Sequence, residues 1–572
     1  MRGDDLLVLG IESTAHTFGV GIATSSGRIL ADARSTYKPP PGEGIKPVEA
    51  AEHHSRVAGE VLREALDEAG VGLGEIDGVA VSLGPGMGPC LRVGASVARF
   101  LALKLGKPLI PVNHAVAHIE IARLTTGLED PVVVYVSGGN TMVTTFVGGR
   151  YRVFGETLDI SLGNCLDTFA REVGLGFPGV PKVEELASRG NVLLDFPYLV
   201  KGQDLSYSGL LTYALRVLRE GARIEDVAYT LVEYTYTMLV EVAERAMAHT
   251  GKAELTITGG VARSEKLSRK LEDMAEERGA SFRPVEPRYA GDNGAMIAYT
   301  GALAMSSGVS LPVERSAIRP LWRIDKVDIP WRREVGRKSG ETFVPRLKLP
   351  VSLSRVEPIA LGAEAALFEG FLAGEHVVEK YRLSKGYRLP ELDRRLRRRR
   401  TALEARVLAR AVEAGVDVPG IVYVSPEDAV IIEEYVEGRR LKEILSEEGL
   451  SEYVESVLKA LGRSVARLHV SGVVHGDLTT SNVVVHDGRP VLIDFGLSEF
   501  RRDIEARAVD LHLFLRSLES THPWYSDAAF GRFADGYSEV VGRENLERIL
   551  ERVREIRMRG RFVEERRRGV WG

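Results

Sequence analysis

Two well-separated stretches of the chain share one layout. LLVLGIESTAHTFGVGIATSSGRILADA begins at Leu6, and PVVVYVSGGNTMVTTFVGGRYRVFGETLD begins at Pro131. Each reads as a strand, a turn of small hydroxyl and glycine residues, a second strand, a Ser-Gly or Gly-Gly turn and a third strand. This repetition is the strongest constraint on the fold. A chain that writes the same three-stranded meander twice builds two lobes of like topology that face a cleft. Turns of that composition expose backbone N–H groups and let phosphate oxygens approach closely. A third signal, ELTITGGVARSEKLSRKLEDMA, is a strand, then Gly259-Gly260, then an amphipathic helix. That arrangement often seats a nucleotide near the helix start.

Between the two meanders lies VNHAVAHIEIA, with His114 and His118 four residues apart. On a helix both imidazoles share a face. The bland reading is a surface or core pair, and the sharper one is a metal pair, since neutral imidazole is a common ligand. Cys90 and Cys165 are the only cysteines. That excludes a disulfide scaffold and a cysteine-rich zinc module, and it suits a reducing cytoplasm. Further ligands must come from elsewhere in the chain. A zinc-protease helix reads His-Glu-x-x-His with the Glu as general base, and here Ala115 stands in that place, which argues against proteolysis.

The 572 residues exceed what one core can organise, so two or more domains are expected. A charged content of 27% and a net charge of −5 fit a soluble globular protein with no global basic field. No apolar run approaches the ~20 residues of a membrane span, and MRGDDLLVLGIEST lacks a signal peptide's apolar core. The alternation of strands, glycine turns and helices runs to about residue 322. Residues 323–350 are polar and broken by prolines, and read as a linker. A second domain follows over 351–572.

That second domain carries VVHGDLTTSNVVV and then PVLIDFGLS. An Asp with an Asn five residues on, followed by a strand ending in Asp-Phe-Gly, is the protein-kinase arrangement. It assigns Asp477 as the base that accepts the hydroxyl proton, and Asn482 and Asp494 as the magnesium ligands. Upstream, Lys380 in HVVEKYR is placed to hold the nucleotide's α/β phosphates, with Glu404 as its ion-pair partner. IIEEYVEG, which includes Glu434, reads as the hinge that seats adenine. The nucleotide loop, Leu361, Gly362, Ala363, Glu364 and Ala365, has alanines in place of a glycine-rich triplet. No Ala-Pro-Glu segment follows Asp494-Phe495-Gly496, so a long substrate-docking activation loop is not expected.

The duplicated hairpins and the strand-Gly-Gly-helix resemble the actin/Hsp70/sugar-kinase superfamily. Within it, NHAVAHIE, YVSGGNT, GNCLDTFARE, TGGVARSEKL and YAGDNGAMIA resemble the universal tRNA threonylcarbamoyladenosine transferase family, over residues 6–322. The resemblance implies a two-lobed α/β domain. It implies that His114, His118, Tyr135 and Asp292 share one metal ion, iron or zinc. It further implies transfer of a threonylcarbamoyl group from threonylcarbamoyl-AMP to the exocyclic amine of the adenosine adjacent to the anticodon, in tRNAs reading codons that begin with A. The acyl-adenylate would lie against Tyr135, Val136, Ser137, Gly138, Gly139 and Asn140, with its ribose held by Asp167 and Glu184. Two positions depart from the family pattern: Val180 stands for a glycine and Ser264 for an asparagine, and both bear on how the nucleotide sits.

Residues 351–572 resemble the small atypical Ser/Thr protein kinase of the archaeal and eukaryotic KEOPS complex, an α+β bilobal fold that takes ATP and Mg2+. Such a domain acts as an ATPase serving its fused neighbour, or phosphorylates substrates. The reading is therefore a fusion of a tRNA threonylcarbamoyltransferase with its partner kinase/ATPase. Family analogy adds tRNA, a small dimeric subunit on the first domain, another subunit on the kinase domain, and a separate synthase supplying threonylcarbamoyl-AMP. The rival is a signalling Ser/Thr kinase with a regulatory nucleotide- and metal-binding first half. An Hsp70-like ATPase or sugar kinase is more distant, because ordinary members need no histidine pair.

Two arginine-rich stretches stand out: LDRRLRRRRTALEARVLARA and the tail RVREIRMRGRFVEERRRGVWG. Each reads either as a solvated face or as an RNA contact, since arginine pairs phosphates and stacks on bases. RNA is favoured for the tail. For Arg394–Arg400 the two readings stand level.

Overall fold

The structure is a computed structural model and describes residues 5–40, 44–334 and 357–559. The first lobe is built from β1 (Leu7–Glu12), β2 (Thr17–Thr24), β3 (Ile29–Thr36), α1 (Pro47–Ala69), β4 (Gly78–Gly84), α2 (Gly88–Leu105) and β5 (Leu109–Asn113), followed by α3 (His114–Thr126). Its sheet order is β3-β2-β1-β4-β5. The first three strands are antiparallel, and β1, β4 and β5 run parallel.

The second lobe repeats this plan. It comprises β6 (Val132–Val136), β7 (Thr141–Val147), β8 (Arg150–Glu156), α4 (Leu162–Glu172), α5 (Gly179–Ala187), a short pair β9 (Val200–Lys201) and β10 (Asp204–Leu205), and α6 (Ser208–Arg219). After these come α7 (Ile224–Thr250), β11 (Glu254–Thr258), α8 (Glu265–Glu277), β12 (Ser281–Phe282), α9 (Pro287–Ala290) and α10 (Gly294–Ser306). The order β12-β11-β6-β7-β8 has the same mix of antiparallel and parallel neighbours as the first sheet. The repeat seen in the sequence is thus a repeat in topology.

Interior strands of the two sheets are covered on both faces, and β1, β2 and β6 are buried along their whole length. Helix α10 lies directly on β1 and β2, and glycine makes this possible. A Cβ at Gly10 or Gly21 would come within 2.1 or 2.2 Å of the α10 backbone.

The front of the segment read as a linker, residues 323–334, lies on the second lobe. Ile324 and Ile329 are buried against Val133, Tyr135 and Phe146. The Arg332 guanidinium sits 4.3 Å from the centre of the Phe146 ring and donates to Tyr151 Oη and the Glu129 carbonyl. Residues 335–350 fall outside the described residues.

The second half opens with β13 (Ala360–Leu361), β14 (Ala365–Leu372), β15 (Glu375–Arg382), α11 (Pro390–Glu413), β16 (Ile421–Ser425) and β17 (Val430–Glu434), which form an antiparallel sheet with one long helix. Next come β18 (Arg439–Arg440), α12 (Leu441–Glu448), α13 (Glu452–Val470), β19 (Val473–Val474), β20 (Val483–His486), β21 (Arg489–Leu492) and β22 (Glu499–Phe500). The chain then forms α14 (Ile504–Thr521), α15 (Ser526–Val541) and α16 (Arg543–Arg559). A sheet lobe and a helical lobe result, as in a bilobal kinase. The helical lobe has its own core around Leu461, Phe514, Phe533 and Tyr537.

The halves are locked together along α7. Tyr387, Leu392 and Leu396 from the second half join the core of the first. Buried charges cross the seam: Arg388 to Glu241 at 2.8 Å, Arg400 to Glu241 at 2.9 Å and Lys385 to Glu244 at 2.5 Å. Much of the arginine run therefore binds the protein itself. Besides Arg400, Arg397 pairs with Asp393 and Arg398 with Glu427, while Arg395 reaches Asp195 and the Tyr234 hydroxyl. In the tail, Arg552 and Arg557 pair with Glu505 and Glu519, and residues 560–572 fall outside the described residues.

Candidate functional site

In the first half, Asn113 sets the histidine pair. Its side chain accepts from the backbone N–H groups of Ala115 and Val116, capping α3 so that the helix starts at His114. One turn on, His118 falls on the same face, and the two rings sit 4.7 Å apart. Asp292 arrives from far along the chain just ahead of α10, the helix that lies on β1 and β2 and is capped by Asn293. Its Oδ1 lies 3.6 Å from His114 Nε2 and 3.3 Å from His118 Nε2. The ligand atoms of the three all lie within 4.8 Å of one another. The Tyr135 ring is 5.0 Å from that of His118.

These residues fit a metal ion. Both Nε2 atoms converge on one carboxylate, and the other nitrogen of His114 is already engaged. Its Nδ1 lies 3.0 Å from Glu12 Oε2 and 3.2 Å from Thr14 Oγ1. A carboxylate behind a ligating imidazole fixes its tautomer and orientation. Sequence reading did not mark Glu12, because nothing local distinguishes it from any strand-end acid. Burial works against charge on His114, but the Glu12 carboxylate and Asp292 outweigh it and push the imidazole up to about 9. Burial holds His118 below its ordinary value despite Asp292. Desolvation works against charge on the half-buried Asp292, but its two histidines hold it well below the carboxylate range.

Beside this corner, Tyr135 and Val136 end β6, and Ser137 to Asn140 form the turn. Ser137 Oγ accepts from the Gly139 and Asn140 N–H groups. Gly138 and Gly139 are exposed, with no atom within 4 Å of where a Cβ would stand. Open space therefore lies beside the two glycines, while the Ser137 N–H donates to the Asn140 carbonyl within the turn. Gly259, at φ 95°, packs its backbone against the Val136 carbonyl, which brings the strand-Gly-Gly turn alongside.

Asp167 on α4 accepts from the Gly179 N–H at 2.7 Å and also from Val180. The backbone does the bonding at Val180, so a side chain there leaves this contact intact. Burial raises the Asp167 carboxyl. Glu184, one turn into α5, receives hydrogen bonds from Ser264, the cap of α8, and from Tyr236. Tyr236 carried no local signal in the sequence.

The second half brings Lys380, Glu404 and Asp494 together, with Asp477 and Asn482 in contact with each other. Lys380 Nζ lies 2.7 Å from both Glu404 Oε1 and Asp494 Oδ1. Asn482 Nδ2 donates to the Asp477 carbonyl and to its Oδ2. Asp494 adopts φ 63°, a conformation L-residues rarely hold and one concentrated at functional sites. Burial raises the Asp477 carboxyl, opposed by Arg245. Burial also works on Asp494, but Lys380 and Arg382 hold it well below the carboxylate range.

The nucleotide loop turns at Gly362, Ala363 and Glu364, closed by the Gly362 N–H on the Ala365 carbonyl, with Leu361 ending β13. Glu364 does not face outward: its carboxylate is ringed by Arg245, Arg382 and Arg400. Glu434 is exposed and its carboxylate reaches the Gly420 N–H. Its neighbour Glu433 is instead the acid near Lys380, Glu404 and Asp494, and burial together with Glu404 pushes it up to about 8. The least expected group is Arg245. It comes from α7 of the first half, and its Nη1 lies 3.1 Å from Asp477 Oδ2.

Known proteins align with both sites. Residues 28–299 match the model of the tRNA N6-adenosine threonylcarbamoyltransferase family, and residues 377–503 match the RIO domain. A tRNA N6-adenosine threonylcarbamoyltransferase of Thermofilum pendens is 72% identical over 328 residues, which is 57% of this chain and 97% of that one. Probable bifunctional tRNA threonylcarbamoyladenosine biosynthesis proteins match almost end to end. The one from Methanothermobacter thermautotrophicus is 44% identical over 98% of this chain and 100% of its own, and the one from Methanocaldococcus jannaschii is 43% identical over the same shares. Among the described residues no helix is long and apolar enough to cross a membrane. With a transferase-like half and a kinase-like half each carrying its own site, the chain belongs to the family of bifunctional tRNA threonylcarbamoyladenosine biosynthesis proteins.

Proposed function

We propose that the first half transfers the threonylcarbamoyl group of threonylcarbamoyl-AMP to N6 of the adenosine next to the anticodon in tRNA. The observation that carries this is the convergence of His114, His118 and Asp292 beside the open Ser137–Asn140 turn. The amine nitrogen bonds to the carbamoyl carbon, the bond from that carbon to the phosphate oxygen breaks, and AMP departs with the electron pair while the nitrogen gives up a proton. The exposed Gly138-Gly139 turn seats the phosphate of the acyl-adenylate, which approaches closely where no Cβ stands. Asp167 and Glu184 take the ribose. His114, His118, Tyr135 and Asp292 would hold one iron or zinc ion, a mixed nitrogen and oxygen set that suits either. Such an ion supplies Lewis-acid polarisation of the carbamoyl carbonyl. Glu12 keeps the His114 ring turned toward it.

In the second half, Lys380 holds the ATP phosphates, Asn482 and Asp494 hold Mg2+, and Asp477 accepts the proton of the attacking hydroxyl. Because Arg245 of the first half sits on Asp477, we read this half as an ATPase or Ser/Thr kinase coupled to its neighbour rather than as a free signalling kinase. Two small partner subunits, one dimeric on the transferase half and one on the kinase half, and a separate synthase for the donor complete the cytoplasmic system.

The test is a reconstituted transfer with tRNA, synthase, threonine, bicarbonate, ATP and the small partners, scored by mass spectrometry of digested nucleosides. Wild type should yield threonylcarbamoyladenosine, and His118→Ala should not. Asp477→Ala reports whether ATP turnover is required. No product from a chain that binds ATP and metal, with a known transferase succeeding in parallel, would overturn the transferase reading.

A further inference from the structure

Glu184 is anchored asymmetrically. Tyr236 Oη donates to its Oε1 at 2.7 Å, and Ser264 Oγ donates to the same oxygen. No hydrogen bond reaches Oε2 among the described residues. Ser264 serves twice, since its oxygen also accepts from the Leu267 N–H at the start of α8. Tyr236 is fully buried on α7, and a buried phenol needs a partner. Three helices thus meet on one carboxylate oxygen. A glutamate on a helix surface normally samples several rotamers and loses that freedom on binding a ligand. Here two hydroxyls, both donating to a charged acceptor, have fixed it beforehand.

We propose that Tyr236 and Ser264 are positioning residues that hold Glu184 by Oε1 so that Oε2 stands ready for a ribose hydroxyl of the donor, giving the site its selectivity for ribonucleotides over deoxyribonucleotides. This rests on the reading of Glu184 as a ribose ligand. It also gives a definite role to Ser264, which stands where the resembled family has asparagine. Ser264 acts on the nucleotide through Glu184.

The experiment uses the full chain in the transfer assay, with AMP, 2′-deoxy-AMP and 3′-deoxy-AMP as competitive inhibitors against the donor. Competition with the donor confines the readout to the transferase site and leaves out nucleotide bound in the kinase half. Wild type should prefer AMP over at least one deoxy form by about tenfold, the scale of one hydrogen bond to a charged group. Tyr236→Phe and Ser264→Ala should each weaken AMP by about fivefold to tenfold and narrow that preference, with kcat little changed. Ser264→Thr, which keeps both the hydroxyl and the cap, should retain the wild-type values. If Ser264→Ala does not fold, Tyr236→Phe carries the test.

Unchanged inhibition constants in both variants, with only a lowered Tm, would overturn the inference and leave a structural role. Glu184→Gln separates the two layers. If wild type discriminates, Glu184→Gln abolishes this and the hydroxyl variants do not, the positioning role alone fails. If wild type shows no preference and Glu184→Gln changes nothing, the ribose reading fails and the positioning role falls with it.

Discussion

The two sites of this chain are built on opposite principles. At the corner of His114, His118 and Asp292, side chains from distant parts of the chain converge beside an open turn. The two Nε2 atoms face one carboxylate oxygen, at 3.6 and 3.3 Å. The neighbouring Gly138 and Gly139 leave their turn uncovered. In the kinase half every principal charge already has a protein partner. Lys380 is shared by Glu404 and Asp494, Asp477 is held by Asn482 and Arg245, and Glu364 is ringed by three arginines. Side chains that converge at the spacing of His114, His118 and Asp292 leave room for a ligand between them. Paired ones are stable as they stand, and a ligand must displace a partner to enter. The first site has room for a ligand; the second is held by its neighbour.

The sharpest way to break this contrast is at Asp292. Asp292→Asn removes the carboxylate and leaves His114 and His118 facing a neutral amide. Metal content, measured by mass spectrometry of the purified chain, should fall from about one ion to near zero. Transfer should drop by at least about 100-fold, while ATP hydrolysis in the second half stays as it was. A variant that keeps both its metal and its activity would show that the convergence of these side chains serves packing alone.

Arg245→Ala tests the other side. It removes the first half's hold on Asp477 and leaves Glu364 with two arginines. Phosphoryl transfer from ATP to the chain itself should rise by roughly tenfold, the scale for lifting a competing charged hydrogen bond. Stability should fall by about 3–5 kcal/mol, because a buried pair broken on one side leaves an uncompensated charge. Arg245→Lys, with a single cationic group in place of the fork, should lie between. A lowered Tm without any rise in turnover would make Arg245 a structural strut and erase the contrast between the sites.

What the sequence disclosed about these sites follows from the range of the interactions. His114, His118, the Ser137–Asn140 turn and the order of Lys380, Asp477, Asn482 and Asp494 were legible because each is a local pattern of residue type and spacing. The duplicated sheet was legible because the same meander is written twice. Glu12, Tyr236 and Arg245 were not, since each acts on a residue far away in the chain: Glu12 on His114, Tyr236 on Glu184 and Arg245 on Asp477. A glutamate at the end of an apolar strand or an arginine on a long helix carries no mark of what will pack against it. The arginine run of α11 shows the converse. Charge density left a solvated face and an RNA contact level there, yet Arg400 is buried on Glu241 and Glu364 at the seam. Glu433 and Glu434 differ by one place on a strand, so their side chains point to opposite faces. Only the register of β17 with β15 decides which one meets Lys380.

The smallest expected effect concerns the seam that makes the two sites answer to each other. His249 at the end of α7 and His522 after α14 meet there beside Lys442, with His249 Nε2 2.9 Å from Thr521 Oγ1. Burial, reinforced by the Lys442 charge, pushes His249 down to about 3 and His522 down to about 4. Both are therefore neutral when docked at pH 7. When the seam opens, each returns toward about 6.5 and takes up a proton below that value. The open state then binds more protons than the docked one, so stability falls as pH is lowered. Docking strength should be flat above about pH 7 and weaken progressively from about pH 6.5 toward pH 4. A thermal unfolding series should show Tm falling by about 2–4 °C more in wild type than in His249→Gln/His522→Gln between pH 7.5 and pH 5. Autophosphorylation should rise over the same interval in wild type if opening the seam releases Asp477 from Arg245. An identical pH response in the double variant would place the acid sensitivity elsewhere and detach the state of the kinase cleft from the docking of the two halves.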